Sequence, residues 1–141
     1  MVAPTGRQGE RLFVVMSNAK PSVLLIEDDV DTGAAMMKFL TLSGYAPLLC
    51  PDGQSALSAI SAATPDAVIT DIHLPDINGL LLSQKLRDAL GPKTPIIVLS
   101  GDTSTEVIKS LSHAGATYFF NKPVNLQVLK QHLAEYLPVG V

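Results

Sequence analysis

The fold class is indicated most clearly by residues 67–80, which read Ala-Val-Ile-Thr-Asp-Ile-His-Leu-Pro-Asp-Ile-Asn-Gly-Leu. Its first four residues, 67–70, are an uncharged and mainly apolar run, typical of a strand buried on both faces of a sheet. Asp71 ends the run, and the turn-forming residues Pro75, Asn78 and Gly79 predict a loop. An amphipathic helix is predicted over 80–89. The segment is therefore predicted to form a strand, a loop and a helix.

The same unit recurs on both sides of this stretch, because apolar runs alternate with segments of helical periodicity. Strands are predicted over 22–26, 45–50, 67–70, 95–99 and 117–120. Helices are predicted over 31–43, 53–62, 80–89, 103–114 and 126–137. This alternation predicts an α/β fold, a doubly wound five-stranded parallel sheet with helices on both faces. Pro47 lacks a backbone donor, which indicates that the second strand lies at an edge.

Composition excludes several classes of protein. The chain has 141 residues, 47% of them hydrophobic, which is enough for one domain with a substantial core. A net charge of −3 gives no basic field for nucleic acid or anionic lipid. One cysteine, Cys50, excludes an internal disulfide framework, and no apolar run approaches the ~20 residues that span a bilayer. We expect a cytoplasmic protein with a tail or linker over 1–20 and a folded domain over 21–138.

Charged and polar side chains stand at the predicted carboxyl ends of four strands. Glu27-Asp28-Asp29 follow the first strand, Asp71 the third, Ser100 the fourth and Lys122 the fifth. In an open parallel sheet these ends form the ligand-binding edge. Clustered carboxylates without cysteine or histidine favour a hard cation, Mg²⁺ or Mn²⁺. A carboxylate beside such a cation can act as a nucleophile and form an aspartyl phosphate, which indicates phosphoryl chemistry.

Four motifs in this order, E-D-D after V-L-L-I, D-I-H-L-P-D-I-N-G-L, V-L-S-G and F-F-N-K-P-V, resemble the receiver domain of bacterial two-component response regulators. The resemblance covers residues 21–137 and implies a flavodoxin-like sheet of strand order 2-1-3-4-5, an order known for this fold. It also implies that a phosphoryl group passes from a histidine kinase or histidine phosphotransfer protein to the domain, which relays the signal.

Residue by residue, the resemblance implies that Asp71 is the phosphoacceptor. Glu27 and Asp28 match the acidic pair that holds Mg²⁺, with Asp28 as the direct ligand and the backbone carbonyl of His73 as a further one. Ser100 and Lys122 match the residues that contact the phosphoryl group, and the resemblance implies a cis peptide between Lys122 and Pro123.

Two features depart from the common receiver pattern. Phe119 stands where many receivers carry Tyr, so it retains a ring that can move inward with Ser100 as a switch but has no hydroxyl. The last helix lacks the charged pattern of receivers that dimerise through their fourth helix, fifth strand and fifth helix, which argues against that dimer.

The first helix is the predicted docking site for the phosphodonor. Its core face is predicted to consist of four residues, Ala35, Met36, Phe39 and Leu40. This arrangement turns Ala34, Met37 and Thr41 outward beside the acidic edge, where a donor helix bundle packs in the receiver family.

Two other functions remain open at this point. A phosphatase of the haloacid-dehalogenase type also forms an aspartyl phosphate, but it needs a second Asp two residues after the nucleophile, where this chain has His73. A flavin- or nucleotide-binding module would need a Gly- or Ser-rich loop after the first strand, where Glu27-Asp28-Asp29 would repel phosphate. A receiver, which catalyses only its own phosphorylation and dephosphorylation, fits better, either on its own or as part of a larger regulator or hybrid kinase.

Overall fold

Five strands alternate with five helices in the computed structural model, which describes residues 19–102 and 104–139. The strands are β1 (Ser22–Ile26), β2 (Ala46–Cys50), β3 (Ala67–Asp71), β4 (Ile96–Ser100) and β5 (Tyr118–Asn121). The helices are α1 (Val30–Leu42), α2 (Gly53–Ala62), α3 (Gly79–Leu90), α4 (Thr105–His113) and α5 (Leu126–Tyr136). The predicted order of elements is confirmed.

The strands form one parallel sheet in the order β2-β1-β3-β4-β5. β1 pairs with β3 in a register that places Val23 beside Ala67, and β3 pairs with β4 with Val68 beside Ile96. Every residue of β3 and β4 is buried, as expected of strands covered on both faces. β2 lies at the edge that Pro47 predicted. The doubly wound sheet is therefore confirmed.

Two apolar clusters cover the two faces of the sheet. One joins strand residues to Met36 and Leu40 of α1 and to Leu129 and Leu133 of α5. The other joins strand residues to α2, α3 and α4 through Ala56, Leu82, Leu86 and Leu111. α1 and α5 thus pack on one face and the other three helices on the opposite face, which leaves the carboxyl ends of the strands uncovered.

Capping side chains set the helix starts, and this explains why the predicted starts differ by a residue or two. α1 begins at Val30 because the side chain of Asp29 accepts a hydrogen bond from the backbone N–H of Thr32. Asn78 caps α3 in the same way, and Ser104 caps α4. At the other ends, Gly44 and Gly115 adopt positive φ angles of 102° and 95°, which end α1 and α4.

The predicted core face of α1 is wrong at one position and incomplete at another. Ala35 is exposed, and Gly33 is buried instead, with its Cα facing the side chain of Leu49. Because Gly33, Met36 and Leu40 line the buried stripe, the neighbouring Met37 is half-buried and packs against the core. Met37 therefore turns outward only in part, whereas the prediction placed it on the outward stripe.

Ala34 and Thr41 are exposed, as predicted. Most of the predicted tail, residues 1–18, lies outside the described residues. Among the helices in the described ranges, none combines the length and the apolar character needed to cross a membrane.

Candidate functional site

The polar residues predicted at the strand ends do meet at one edge of the sheet. Glu27 directly follows β1, Asp71 and Ser100 end β3 and β4, and Lys122 directly follows β5. Parallel strands carry their carboxyl ends to the same edge, so residues up to 95 positions apart come together there.

Asp71 lies at the centre of this edge and is only 4% exposed. Its Oδ2 atom accepts a hydrogen bond from Lys122 Nζ at 2.9 Å, and its Oδ1 atom accepts one from the backbone N–H of His73 at 3.1 Å. One oxygen is thus paired with an ammonium, and the other is oriented by the loop that follows β3.

Glu27 is a second buried carboxylate, with 3% of its surface exposed. Its Oε2 atom accepts a hydrogen bond from the backbone N–H of Asp29 at 3.1 Å. Burial raises the pKa of Glu27, and the hydrogen bond from Asp29 and the charge of Lys122 oppose this rise only in part. The folded state therefore favours either a proton or a cation at Glu27.

The donor set fits a hard divalent cation. Carboxylate oxygens of Glu27, Asp28 and Asp71 all lie within 4.8 Å of one another, and Asp28 is exposed to solvent. Glu27 Oε1 is buried and accepts no hydrogen bond from the part of the chain that the structure describes. It lies 3.9 Å from Lys122 Nζ, beyond hydrogen-bond distance. A buried oxygen without a donor is what a metal ion would satisfy.

Lys122 brings the only ammonium group that pairs with these carboxylates among the described residues. Partial burial disfavours its charged form, but the hydrogen bond to Asp71 and the charges of Asp71, Glu27 and Asp28 outweigh burial and raise the pKa of Lys122. Its backbone N–H donates to the carbonyl of Ser100, and the Lys122–Pro123 peptide is cis, as the resemblance implied.

Ser100 reaches the edge, but its hydroxyl is engaged within its own loop. The hydroxyl donates to the backbone carbonyl of Asp102 at 3.1 Å and accepts from the backbone N–H of Asp102 at 3.0 Å. Phe119 is half-buried and lies between the core on the α2–α4 face and a surface cavity that Ile108 and Leu111 also line. The sequence correctly located both residues, but their roles remain predictions.

One residue of this region, Asp76, has partners that its neighbours in the sequence do not indicate. Asp76 accepts hydrogen bonds from the backbone N–H groups of Gly53 and Gln54. Its partners lie 23 and 22 positions earlier in the chain, in α2. A cap normally lies next to the helix that it caps, so the local sequence carried no signal for this contact.

Comparison with known proteins agrees with this geometry. A family model described as response regulator receiver domain matches residues 23–134. Sensory/regulatory protein RpfC of Xanthomonas campestris pv. campestris is 35% identical over 116 residues, which are 79% of this chain and 16% of that protein. A cyclic di-GMP phosphodiesterase of Thermotoga maritima is 32% identical, over 82% of this chain and 31% of that protein. This chain thus spans less than a third of the length of either relative.

Among solved structures, chemotaxis protein CheY4 of Vibrio cholerae is similar, with a TM-score of 0.78 and 28% identity. The match covers 84% of this chain and 100% of the CheY4 chain. A CheY-like receiver domain protein of Methanospirillum hungatei gives a TM-score of 0.78 at 26% identity. Of the three functions that the sequence left open, these matches select one, and the chain belongs to the receiver domain family of two-component response regulators.

Proposed function

We propose that Asp71 is the residue that accepts the phosphoryl group. The observation that carries this proposal is the pairing of a buried, central Asp71 with Lys122 Nζ at 2.9 Å, within a cluster of two further carboxylates. A carboxylate oxygen of Asp71 attacks phosphorus, and the bond between phosphorus and the donor imidazole nitrogen breaks. The bonding electrons leave with the imidazole, which takes up a proton, and Asp71 becomes an acyl phosphate.

Mg²⁺, with Mn²⁺ as the alternative, is the proposed cofactor. Glu27, Asp28 and Asp71 would hold it together with the backbone carbonyl of His73, and when bound it neutralises charge on the transferred phosphoryl group. The support in this chain is the buried Glu27 Oε1 atom that lacks a hydrogen-bond donor. Lys122 neutralises the same charge from the β5 side and orients Asp71.

Ser100 and Phe119 are the proposed switch. On phosphorylation, the Ser100 hydroxyl would exchange its bonds to the Asp102 backbone for one to a phosphoryl oxygen. Both hydrogen bonds that it makes now lie within three residues of the chain, so this exchange requires no rearrangement of the sheet. Phe119 packs at the margin of the core beside a cavity, which gives its ring room to change position.

The proposed phosphodonor is a histidine kinase or a histidine phosphotransfer protein in the cytoplasm, and its proposed docking site is the exposed side of α1 next to the acidic edge. Ala34 and Thr41 are exposed there, and Met37 adds a half-buried apolar surface between them. The match covers less than a third of each of the two relatives named above, so no signalling output is assigned to this chain from them.

The experiment is intact-mass analysis after incubation with acetyl phosphate and Mg²⁺. We expect one added phosphoryl mass on the wild-type chain, no addition when the metal is chelated, and no addition on Asp71→Ala. Asp88→Ala, which removes an exposed aspartate on α3, is the matched control and should label normally. Undiminished labelling of Asp71→Ala would overturn the assignment.

A further inference from the structure

The loop that follows Asp71, residues 72–78, is hydrogen-bonded to the first turn of α2. The two carboxylate oxygens of Asp76 accept separate hydrogen bonds, Oδ1 from the Gly53 N–H and Oδ2 from the Gln54 N–H, both at 2.9 Å. These donors belong to the first helical turn, whose N–H groups have no partner within the helix. Asp76 therefore links the loop after β3 to the start of α2 by two hydrogen bonds.

A second carboxylate, Asp52, caps the same end of α2, and its side-chain hydrogen bonds within the described residues all go to Ser55. Asp52 accepts from the backbone N–H of Ser55 at 2.8 Å and from the Ser55 hydroxyl at 2.6 Å. The first-turn donors are thus divided, with one satisfied locally by Asp52 and two satisfied from a distance by Asp76. α2 needs a cap for its own stability, but only Asp76 also fixes the loop.

Packing supports both the contact of the loop with α2 and the closed shape of the loop itself. A Cβ atom added at Gly53 would collide with Ile77 Cγ2, so the glycine leaves the space that this loop side chain fills. A Cβ atom added at Gly79 would collide with the backbone carbonyl oxygen of Ile72. Ile77, near the end of the loop, therefore packs against α2. The first residue of the loop, Ile72, contacts Gly79, which directly follows the loop.

The loop in turn orients Asp71. A backbone bridge pairs His73 with Asn78, and the His73 N–H donates to Asp71 Oδ1 at 3.1 Å. If Asp76 moved away from α2, the closed loop would move with it. The His73 N–H would then shift relative to the Asp71 carboxylate to which it donates. We propose that Asp76 is a positioning residue for phosphorylation, which acts through the loop to hold Asp71 in its reactive orientation. This inference rests on the proposed role of Asp71.

The test compares Asp76→Ala with Asp52→Ala, because each removes a carboxylate cap from the same helix end. Both variants should lower the melting temperature to a similar extent. We expect only Asp76→Ala to slow labelling at saturating Mg²⁺ and acetyl phosphate, by about tenfold, since small displacements of a reacting group are costly. A variant that is only less stable would have fewer folded molecules, so a smaller fraction of the protein would be labelled. The rate constant for labelling of its folded molecules would stay at the wild-type value.

Amide hydrogen exchange reports on the attachment without any phosphoryl chemistry. The His73 N–H should exchange about tenfold faster in Asp76→Ala and at the wild-type rate in Asp52→Ala. Asp76→Asn, which keeps one acceptor oxygen, should give intermediate values. If Asp76→Ala does not fold, Gly53→Ala perturbs the same contact from α2 by displacing Ile77, and it should also slow labelling.

Equal effects of Asp76→Ala and Asp52→Ala on the rate constant, or no effect of either, would overturn the inference. Unchanged exchange at His73 in Asp76→Ala would overturn it as well. These outcomes differ from failure of the proposed function, in which the wild-type chain itself would not be labelled at Asp71.

Discussion

Replacement of Lys122 by Met tests whether its ammonium group stabilises the acidic edge in the absence of metal. The ammonium lies 2.9 Å from Asp71 Oδ2 and 3.9 Å from Glu27 Oε1. At 2.9 Å the attraction between two unit charges is about 1.4 kcal/mol at the dielectric constant of water and about 6 kcal/mol at an effective value of 20. The net contribution is smaller, because desolvation and side-chain ordering oppose it.

Solvent exposure decides where the net contribution of this ion pair to stability falls between these limits. The Lys122 side chain is 34% exposed, so water screens the pair, whereas the carboxylates of Glu27 and Asp71 are almost fully buried. Removal of the ammonium leaves both carboxylates buried without a cation. We therefore expect Lys122→Met to lower the free energy of unfolding at pH 7 by about 2 kcal/mol, between the values for exposed and buried pairs.

The pH dependence of this loss has a definite sign. The pKa of Glu27 is already raised above its usual 4.5 in the folded state, and loss of the ammonium raises it further. The folded state then holds the proton more tightly than the unfolded chain does, so the variant is least stable above the folded-state pKa. Below about pH 4.5 Glu27 is protonated in both states, and its part of the loss disappears.

The measurement is urea unfolding in the presence of a chelator, for wild type, Lys122→Met and Lys122→Arg, at pH 7.5 and pH 4.5. Arg retains the charge and should recover part of the loss at pH 7.5. A double-mutant cycle with Asp71→Asn isolates the coupling between the two side chains. A loss that is equal at both pH values, or a coupling near zero, would refute the electrostatic reasoning.

Three further predictions concern the metal, the docking surface and the fold. Asp28→Ala should weaken Mg²⁺ binding at least about tenfold in calorimetric titration, and wild-type affinity would contradict this. It should not lower the stability of the metal-free protein, because it relieves repulsion between carboxylates. Ala34→Glu should slow transfer from a phosphohistidine protein but not labelling by acetyl phosphate; equal slowing of both would exclude docking at α1. Arg87→Lys should lower the free energy of unfolding in urea by about 1–3 kcal/mol, and unchanged stability would contradict this. The Arg87 guanidinium donates to the carbonyls of Gly91, Thr94 and Gly115, and a lysine ammonium cannot make the same set of hydrogen bonds.

The fold was predictable because burial on both sides of a sheet leaves a simple pattern. The strands of residues 67–71 and 96–100 are buried at every position, and their sequences are apolar up to Ile69 and Leu99, respectively. Pro47 identified an edge strand because it has no N–H to donate. The meeting of Asp71 and Lys122, 51 positions apart, followed from the rule that parallel strands end at one edge.

The errors arose where the pattern was weak or the partner distant. The helix over residues 30–42 buries Gly33, which has no side chain to reveal its position, and the buried stripe was therefore rotated toward Ala35 in the prediction. Asp76 and Arg87 bond to backbone groups that lie up to 28 positions away, and backbone groups leave no trace in a sequence. The position of Ser100 at a strand end was predictable from the sequence, but the direction in which its hydroxyl bonds was not.

The charge balance at the edge connects the stability of the metal-free protein to the proposed phosphorylation of Asp71. When the three clustered carboxylates are ionised, the ammonium of Lys122 leaves two negative charges uncompensated beside Asp71. A phosphoryl donor is itself an anion, so it would be repelled from the nucleophile. A divalent cation would remove this repulsion and would also relieve the burial of Glu27, so the same buried charge that favours a cation at this edge supports the proposed role of the metal in phosphorylation.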